Sequence, residues 1–229
     1  MIRIENITIS YGSNTILEES SLHLHAGELC ALVGRNGAGK STLLRALTSR
    51  KEVMIEGISV AEMNAEQLAR KVAIVTTERI RIANMRVEDL VAMGRAPYTN
   101  WVGRLQDIDR EIVGKAIEMV GMGLFAKREI ATLSDGELQR VMIARAIAQQ
   151  SPIILLDEPS AFLDIPTRYD VARLLAKLAH EEGRCILFST HDTDSALSAC
   201  DSVAIIADKT IEKHSAESAQ QRIKELFAL

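Results

Sequence analysis

The chain has 229 residues, of which 47% are hydrophobic and 25% charged, with a net charge of −4. That size and balance suit one sizeable α/β domain of ordinary soluble composition and give no reason to expect nucleic acid as the main partner. No apolar stretch approaches the ~20 residues of a membrane-spanning helix, and the N-terminus lacks a signal peptide's apolar segment.

Ile2–Ile9 alternates apolar and polar residues, as a half-exposed strand does. A turn signal at Tyr11-Gly12-Ser13-Asn14 leads into a second alternating run that ends at Leu24. Leu29–Val33 is continuously apolar and reads as a buried strand, followed by a glycine loop and the helix former Leu43–Leu47. Val53–Ile55 and Val72–Val75 read as further strands, and Arg50-Lys51-Glu52 leaves almost no loop before the first of them. From Val87 to about Gly123 the pattern is helical, punctuated by Pro97 and Gly103. A long helix is expected from Ser134 to Gln150, then the apolar strand Ile153–Leu156, and a helix from Pro166 to Glu182. Cys185–Ser189 and Val203–Ile206 close the sheet, and the tail from Lys209 onward shows no turn chemistry. Strands alternating with helices predict a mostly parallel sheet with an antiparallel N-terminal β portion. We expect a single domain over 1–229 with a helical insert at about 87–150. Of three cysteines, Cys30 and Cys185 lie in apolar runs, so buried free thiols are expected rather than a disulfide or a metal site.

Gly34-Arg35-Asn36-Gly37-Ala38-Gly39-Lys40-Ser41-Thr42 fits the pattern G-x-x-x-x-G-K-[ST] in full. It sits between a strand and a helix start, the context in which this pattern is a phosphate-binding loop. The small residues let successive backbone N–H groups curl around phosphate oxygens, and the helix N-terminus adds partial positive charge. Lys40 is expected to reach the β- and γ-phosphates and the Ser41 hydroxyl to ligate Mg²⁺. Ile153–Leu156 ends in Asp157 and Glu158. Asp157 suits Mg²⁺, directly or through a water, and Glu158 can polarise an attacking water. Asp-Glu-Pro-Ser is also good loop chemistry, and the pairing with residues 34–42 favours the functional reading. His191 follows the strand 186–190 and could donate to the γ-phosphate or to the attacking water. Ser134-x-x-Glu137 is a capping box, and with Gly136 it is also an anion-binding helix start. The phosphates held by residues 34–42 already have a helix start of their own, and a second copy of the chain could supply this one across an interface.

Taken together, these motifs resemble the ATP-binding cassette (ABC) family over nearly the whole chain, with a P-loop NTPase core and a helical subdomain. Gly34–Thr42 looks like its Walker A motif, Ile153–Glu158 like Walker B, and Leu133–Glu137 like its signature sequence. Ser160–Asp164 resembles the D-loop and His191 the switch histidine. Tyr11 sits where the family has an aromatic that stacks on adenine. The resemblance implies ATP and Mg²⁺ as cofactors and a head-to-tail pair of cassettes. ATP would lie between Walker A of one copy and Ser134 and Gly136 of the other, with Glu137 and Asp164 beside them. Two departures stand out. Asp135 and Glu137 replace the usual glycine and glutamine of the signature, and Thr77, followed by Glu78, occupies the place of the Q-loop glutamine that touches Mg²⁺ and the membrane partner. Val87–Tyr98, with Gly94-Arg95-Ala96-Pro97, resembles the importers for iron–siderophore, haem and cobalamin complexes. The implied protein is the ATP-hydrolysing subunit of such an importer, peripheral on the cytoplasmic side of a bacterial inner membrane. Its implied partners are permease subunits and, indirectly, a substrate-binding protein. A soluble cassette acting on nucleic acid or ribosomes is the alternative; such proteins usually carry two cassettes or a long charged insert, and this chain has neither.

Overall fold

The computed structural model describes residues 1–77, 82–99 and 103–227, with positions 11, 195, 196 and 227 as backbone only. In chain order the strands are β1 (Ile2–Tyr11), β2 (Asn14–Leu24), β3 (Leu29–Gly34), β4 (Val53–Ile55), β5 (Ile58–Ser59), β6 (Val72–Val75), β7 (Ile153–Leu156), β8 (Cys185–Ser189), β9 (Ser202–Ala207) and β10 (Thr210–Ser215). The helices are α1 (Lys40–Ala46), α2 (Ala65–Lys71), α3 (Val87–Ala92), α4 (Asp107–Met119), α5 (Asp135–Ala148), α6 (Ile165–His180), α7 (Thr193–Leu197) and α8 (Ala216–Phe227).

The six-stranded sheet runs β10-β9-β3-β8-β7-β6, and its strands are parallel except for β10. Every residue of β3, β7, β8 and β9 is buried, which is why those segments read as unbroken apolar runs. Alternate side chains feed opposite faces. Ala31, Val33, Ile154, Leu156, Ile186 and Phe188 join a core with the helices α3 to α6. Cys30, Leu32, Ile153, Leu155, Cys185 and Leu187 join a second core with α1 and the antiparallel sheet β2-β1-β4-β5. The expected mixture of a parallel sheet with an antiparallel N-terminal portion is the observed architecture. The three cysteines are free and buried, and burial pushes the Cys30 and Cys185 thiols up to about 12.

Several elements depart from the sequence reading. The tail was expected to lack a turn, yet β9 and β10 form a hairpin. Asp208 and Lys209 supply it, both in the left-handed region at φ 47° and 62°. Such a turn usually announces itself as Asn-Gly or Asp-Gly, and an Asp-Lys pair does not. The helix expected over 134–150 spans Asp135–Ala148, with Ser134 as its cap, and the one expected over 166–182 spans Ile165–His180. The tight passage at residues 50–52 is real and closes with Val53 N donating to Arg50 O at 3.1 Å.

The Gly-Arg-x-Pro segment forms a 3₁₀ turn, Met93–Tyr98, held by one buried guanidinium. Arg95 Nε donates to Asp109 Oδ1 at 2.9 Å, with the two side chains only 6% and 5% exposed. Arg95 Nη1 donates to Ala148 O at 2.9 Å and to Gln150 Oε1 at 3.0 Å, satisfying a carbonyl at the end of α5. Its plane lies 4.1 Å from the centroid of the Tyr98 ring. One side chain thus ties the turn to α4 and α5. Removing it strands a buried carboxylate, so Arg95→Ala should lose about 3 kcal/mol of stability, read as a lower urea midpoint.

Candidate active site

The glycine loop follows β3, Asp157 follows β7 and His191 follows β8, and these three strands are neighbours in the sheet. The carboxyl ends of parallel strands are where an open α/β sheet binds ligands. A cleft of ≈ 370 Å³ opens there, lined by Ile16, Asn36, Gly37, Gly39, Lys40, Ser41, Thr42, Glu158 and His191.

Gly34 ends β3, and the turn that follows closes with Ala38 N donating to Arg35 O at 3.0 Å. Gly39 caps α1 at φ 106°, and a Cβ there would stand 2.4 Å from Ile16 Cγ2. No other residue fits that backbone or that gap. Lys40, the first residue of α1, folds back over the loop, and its Nζ donates to Gly34 O at 2.9 Å and Arg35 O at 3.4 Å. Burial pulls its ammonium below the usual lysine value, while Glu158 and Asp157 act in the opposite sense. The cradle therefore holds a partly desolvated cation over the glycine loop at the start of α1, where a phosphate chain can meet it.

Asp157 is buried, and its N–H donates to Val75 O at 2.8 Å, which fixes the end of β7 on β6. Ser189, wholly buried at the end of β8, makes two contacts with this pair. Its hydroxyl donates to Asp157 Oδ1 at 2.7 Å and accepts from Glu158 N at 2.9 Å. Glu158 sits in the left-handed region at φ 48°, a strained conformation that turns its side chain into the cleft. There its carboxylate is paired with His191 Nε2. The sequence reading had His191 donating to a phosphate or a water; in this structure its contact is the Glu158 carboxylate.

Ser134, Gly136, Glu137 and Asp164 lie elsewhere. They line a second cleft of ≈ 480 Å³, with Asp135, Arg140, Phe162, Leu163 and Thr167, and it shares no residue with the first. The capping box is formed: Glu137 N donates to Ser134 Oγ at 3.2 Å, and Ser134 N donates to Glu137 Oε2 at 2.7 Å. That backbone hydrogen bond, with the charges of Arg128 and Arg140, holds the Glu137 carboxyl below the usual glutamate range despite some burial. Gly136 has a reason within its own chain, because a Cβ would lie 3.1 Å from Phe162 O and 3.3 Å from Leu163 Cδ2. Asp164 caps α6, accepting from Thr167 N at 3.0 Å.

Thr77 is exposed, two residues beyond the end of β6, and is not among the described residues lining the first cleft. Glu78, the other residue considered for the Q-loop position, lies outside the described residues. Tyr11 pairs through its backbone with Asn14 at the β1–β2 turn, and its side chain lies outside the description. Two contributors were missed in the sequence. Ile16 floors the cleft beneath Gly39, and the alternation of β2 gave no sign of it. Ser189 did leave a signal, as the one hydroxyl closing an apolar strand.

A family model described as ABC transporter matches residues 17–161, well over half of the chain. The chain belongs to the ABC transporter family. It is 35% identical to the petrobactin import ATP-binding protein FpuD of Bacillus anthracis, over 92% of this chain and 79% of that protein. It is 36% identical to the iron(3+)-hydroxamate import ATP-binding protein FhuC of Bacillus subtilis, over 84% of this chain and 73% of that one. Among solved structures, an ABC cassette dimer in a post-hydrolysis state with ADP and Pi superposes with a TM-score of 0.82 at 26% identity. That alignment covers 94% of this chain and 99% of the cassette. As an ABC cassette, this chain is an ATP-binding, ATP-hydrolysing subunit. No described helix is long and apolar enough to cross a membrane.

Proposed function

We propose that this ABC ATPase drives an importer for an iron–siderophore or related metal-chelate complex, as a head-to-tail pair of cassettes. The pair would sit peripherally on the cytoplasmic side of a bacterial inner membrane, beneath permease subunits that receive cargo from a substrate-binding protein. The observation that carries the pairing is the separation of the two clefts within one chain. Residues 34–42 and the Ser134 helix start are both anion sites by physics, yet a single copy does not bring them onto one ligand. A second copy turned through a twofold axis brings each onto the other's, and symmetry makes two such sites. The import reading is supported by the two relatives named above and by the Gly-Arg-x-Pro segment, and the alternative of a cassette working on nucleic acid or ribosomes has no comparable support.

In this reading Asn36, Gly37, Ala38, Gly39, Lys40 and Thr42 hold the triphosphate through loop N–H groups and the ammonium, and Tyr11 stacks on the adenine. Ser41, in the lining of the cleft, and Asp157, buried at the end of β7 next to Glu158, are hard oxygen donors of the kind that Mg²⁺ takes. Mg²⁺, when bound there, neutralises charge on the β- and γ-phosphate oxygens. Thr77 takes the Q-loop position, outside the lining of the cleft, and reaches the metal side only if the segment after β6 moves inward when nucleotide binds. Glu158 accepts the proton of a water whose oxygen attacks the γ-phosphorus, and ADP leaves with the bridging oxygen. His191 orients that carboxylate. Ser134 and Gly136 of the second copy close over the γ-phosphate, flanked by Glu137 and Asp164.

Replacing Ser134 by a long cation fills the second cleft and leaves the first untouched. Ser134→Arg should therefore bind ATP normally yet fail to dimerise with it, as read by size-exclusion chromatography. An unaltered ATP-dependent dimer would count against the pairing.

A further inference from the structure

The Ser134 cleft poses an electrostatic problem. Its lining includes the acids Asp135, Glu137 and Asp164 against the single base Arg140, an unfavourable wall for a triphosphate. Asp164 is engaged in capping α6. Asp135 and Glu137 are the two charges that stand where the signature usually has neutral residues, and Glu137 is the one whose carboxylate folds back onto Ser134 N.

Arg128 answers it. Its Nε donates to Thr132 Oγ1 at 3.0 Å and its Nη2 to Thr132 O at 3.1 Å, while its plane lies 5.5 Å from the Phe125 ring centroid. Its backbone is fixed as well, with Val87 N donating to Arg128 O at 3.0 Å. The guanidinium held in this way presents Nη1 at 4.0 Å from Glu137 Oε1, while the other carboxylate oxygen accepts from Ser134 N. One carboxylate oxygen is hydrogen-bonded, and the other faces the guanidinium at ion-pair distance.

We propose that Arg128 is a positioning residue for the closed cassette pair, holding the Glu137 carboxylate folded onto Ser134 and offsetting its charge where the second copy's triphosphate arrives. The inference rests on the head-to-tail reading above. It concerns closure over ATP rather than the hydrolytic step, so its signature lies in KM more than in kcat.

The test is steady-state ATPase kinetics of the full chain with Mg²⁺ and ATP for Arg128→Ala, Glu137→Gln and the double variant. Arg128→Ala should raise KM roughly two- to fivefold, the scale of a partly exposed ion pair, with a smaller change in kcat. Adding Glu137→Gln should return KM to that of the Glu137→Gln protein, because no charge then needs an offset. Arg128→Lys keeps a cation and should retain most of the wild-type behaviour. An unchanged KM in Arg128→Ala overturns the proposal. So does a double variant as impaired as Arg128→Ala, which would reduce Arg128 to its Thr132 and Phe125 contacts. Ser134→Arg run in parallel separates the two levels. If it still dimerises with ATP, the pairing itself falls; if it does not while Arg128→Ala is silent, only the role of Arg128 falls.

Discussion

Glu158→Gln should stop ATP turnover and leave the protein as a stable ATP-bound dimer. Gln preserves the length and shape of the side chain, and its amide oxygen can still accept from His191, so the cleft keeps its form. What disappears is the one carboxylate among the described residues that line the cleft. A general base of this kind is worth on the order of 10² to 10⁴ in rate. The same change removes a negative charge facing the phosphates, which favours the bound state while blocking its exit. Phosphate release measured against dimer content on size exclusion reads both effects at once. A variant that hydrolyses ATP near the wild-type rate would show that Glu158 is not the base.

Lys40→Ala is expected to abolish useful nucleotide binding. The ammonium is buried and already held over the loop by Gly34 O and Arg35 O, so it meets a phosphate with little reorganisation. Two charge-assisted hydrogen bonds at about 1.5–3 kcal/mol each predict a loss of affinity on the order of 100-fold or more. The ligand-free protein should lose far less, because a partly desolvated cation is removed along with its bonds. Calorimetric titration with ATP, beside melting curves with and without nucleotide, separates the two. Unchanged ATP affinity would reject the phosphate cradle.

The strands of the main sheet and the three motif loops were legible because each rule that marks them is local. Leu29–Val33, Ile153–Leu156 and Cys185–Ser189 are apolar runs that only a strand buried on both faces explains. The glycine loop needs a backbone that few residues allow, so it is written in residue types. The residues that the sequence hid act through contacts between distant segments. Ile16 touches the cradle only because the fold brings β2 against Gly39, and Arg95 finds Asp109 only once α4 is in place. The β9–β10 hairpin escaped notice because Asp208 and Lys209 take positive φ without the glycine that usually signals it. The Ser134 helix start was recognised as a cap and as an anion site, but its distance from the first cleft needed the fold.

Ser189 has a mechanical consequence. The backbone of Glu158 is pinned by the Ser189 hydroxyl and its carboxylate by His191, two residues farther along the same chain segment. Both tethers on Glu158 therefore leave from one short ribbon, the exit of β8 leading into α7. Any displacement of that ribbon would loosen Glu158 at both points together, so its backbone and its carboxylate are coupled to a single segment.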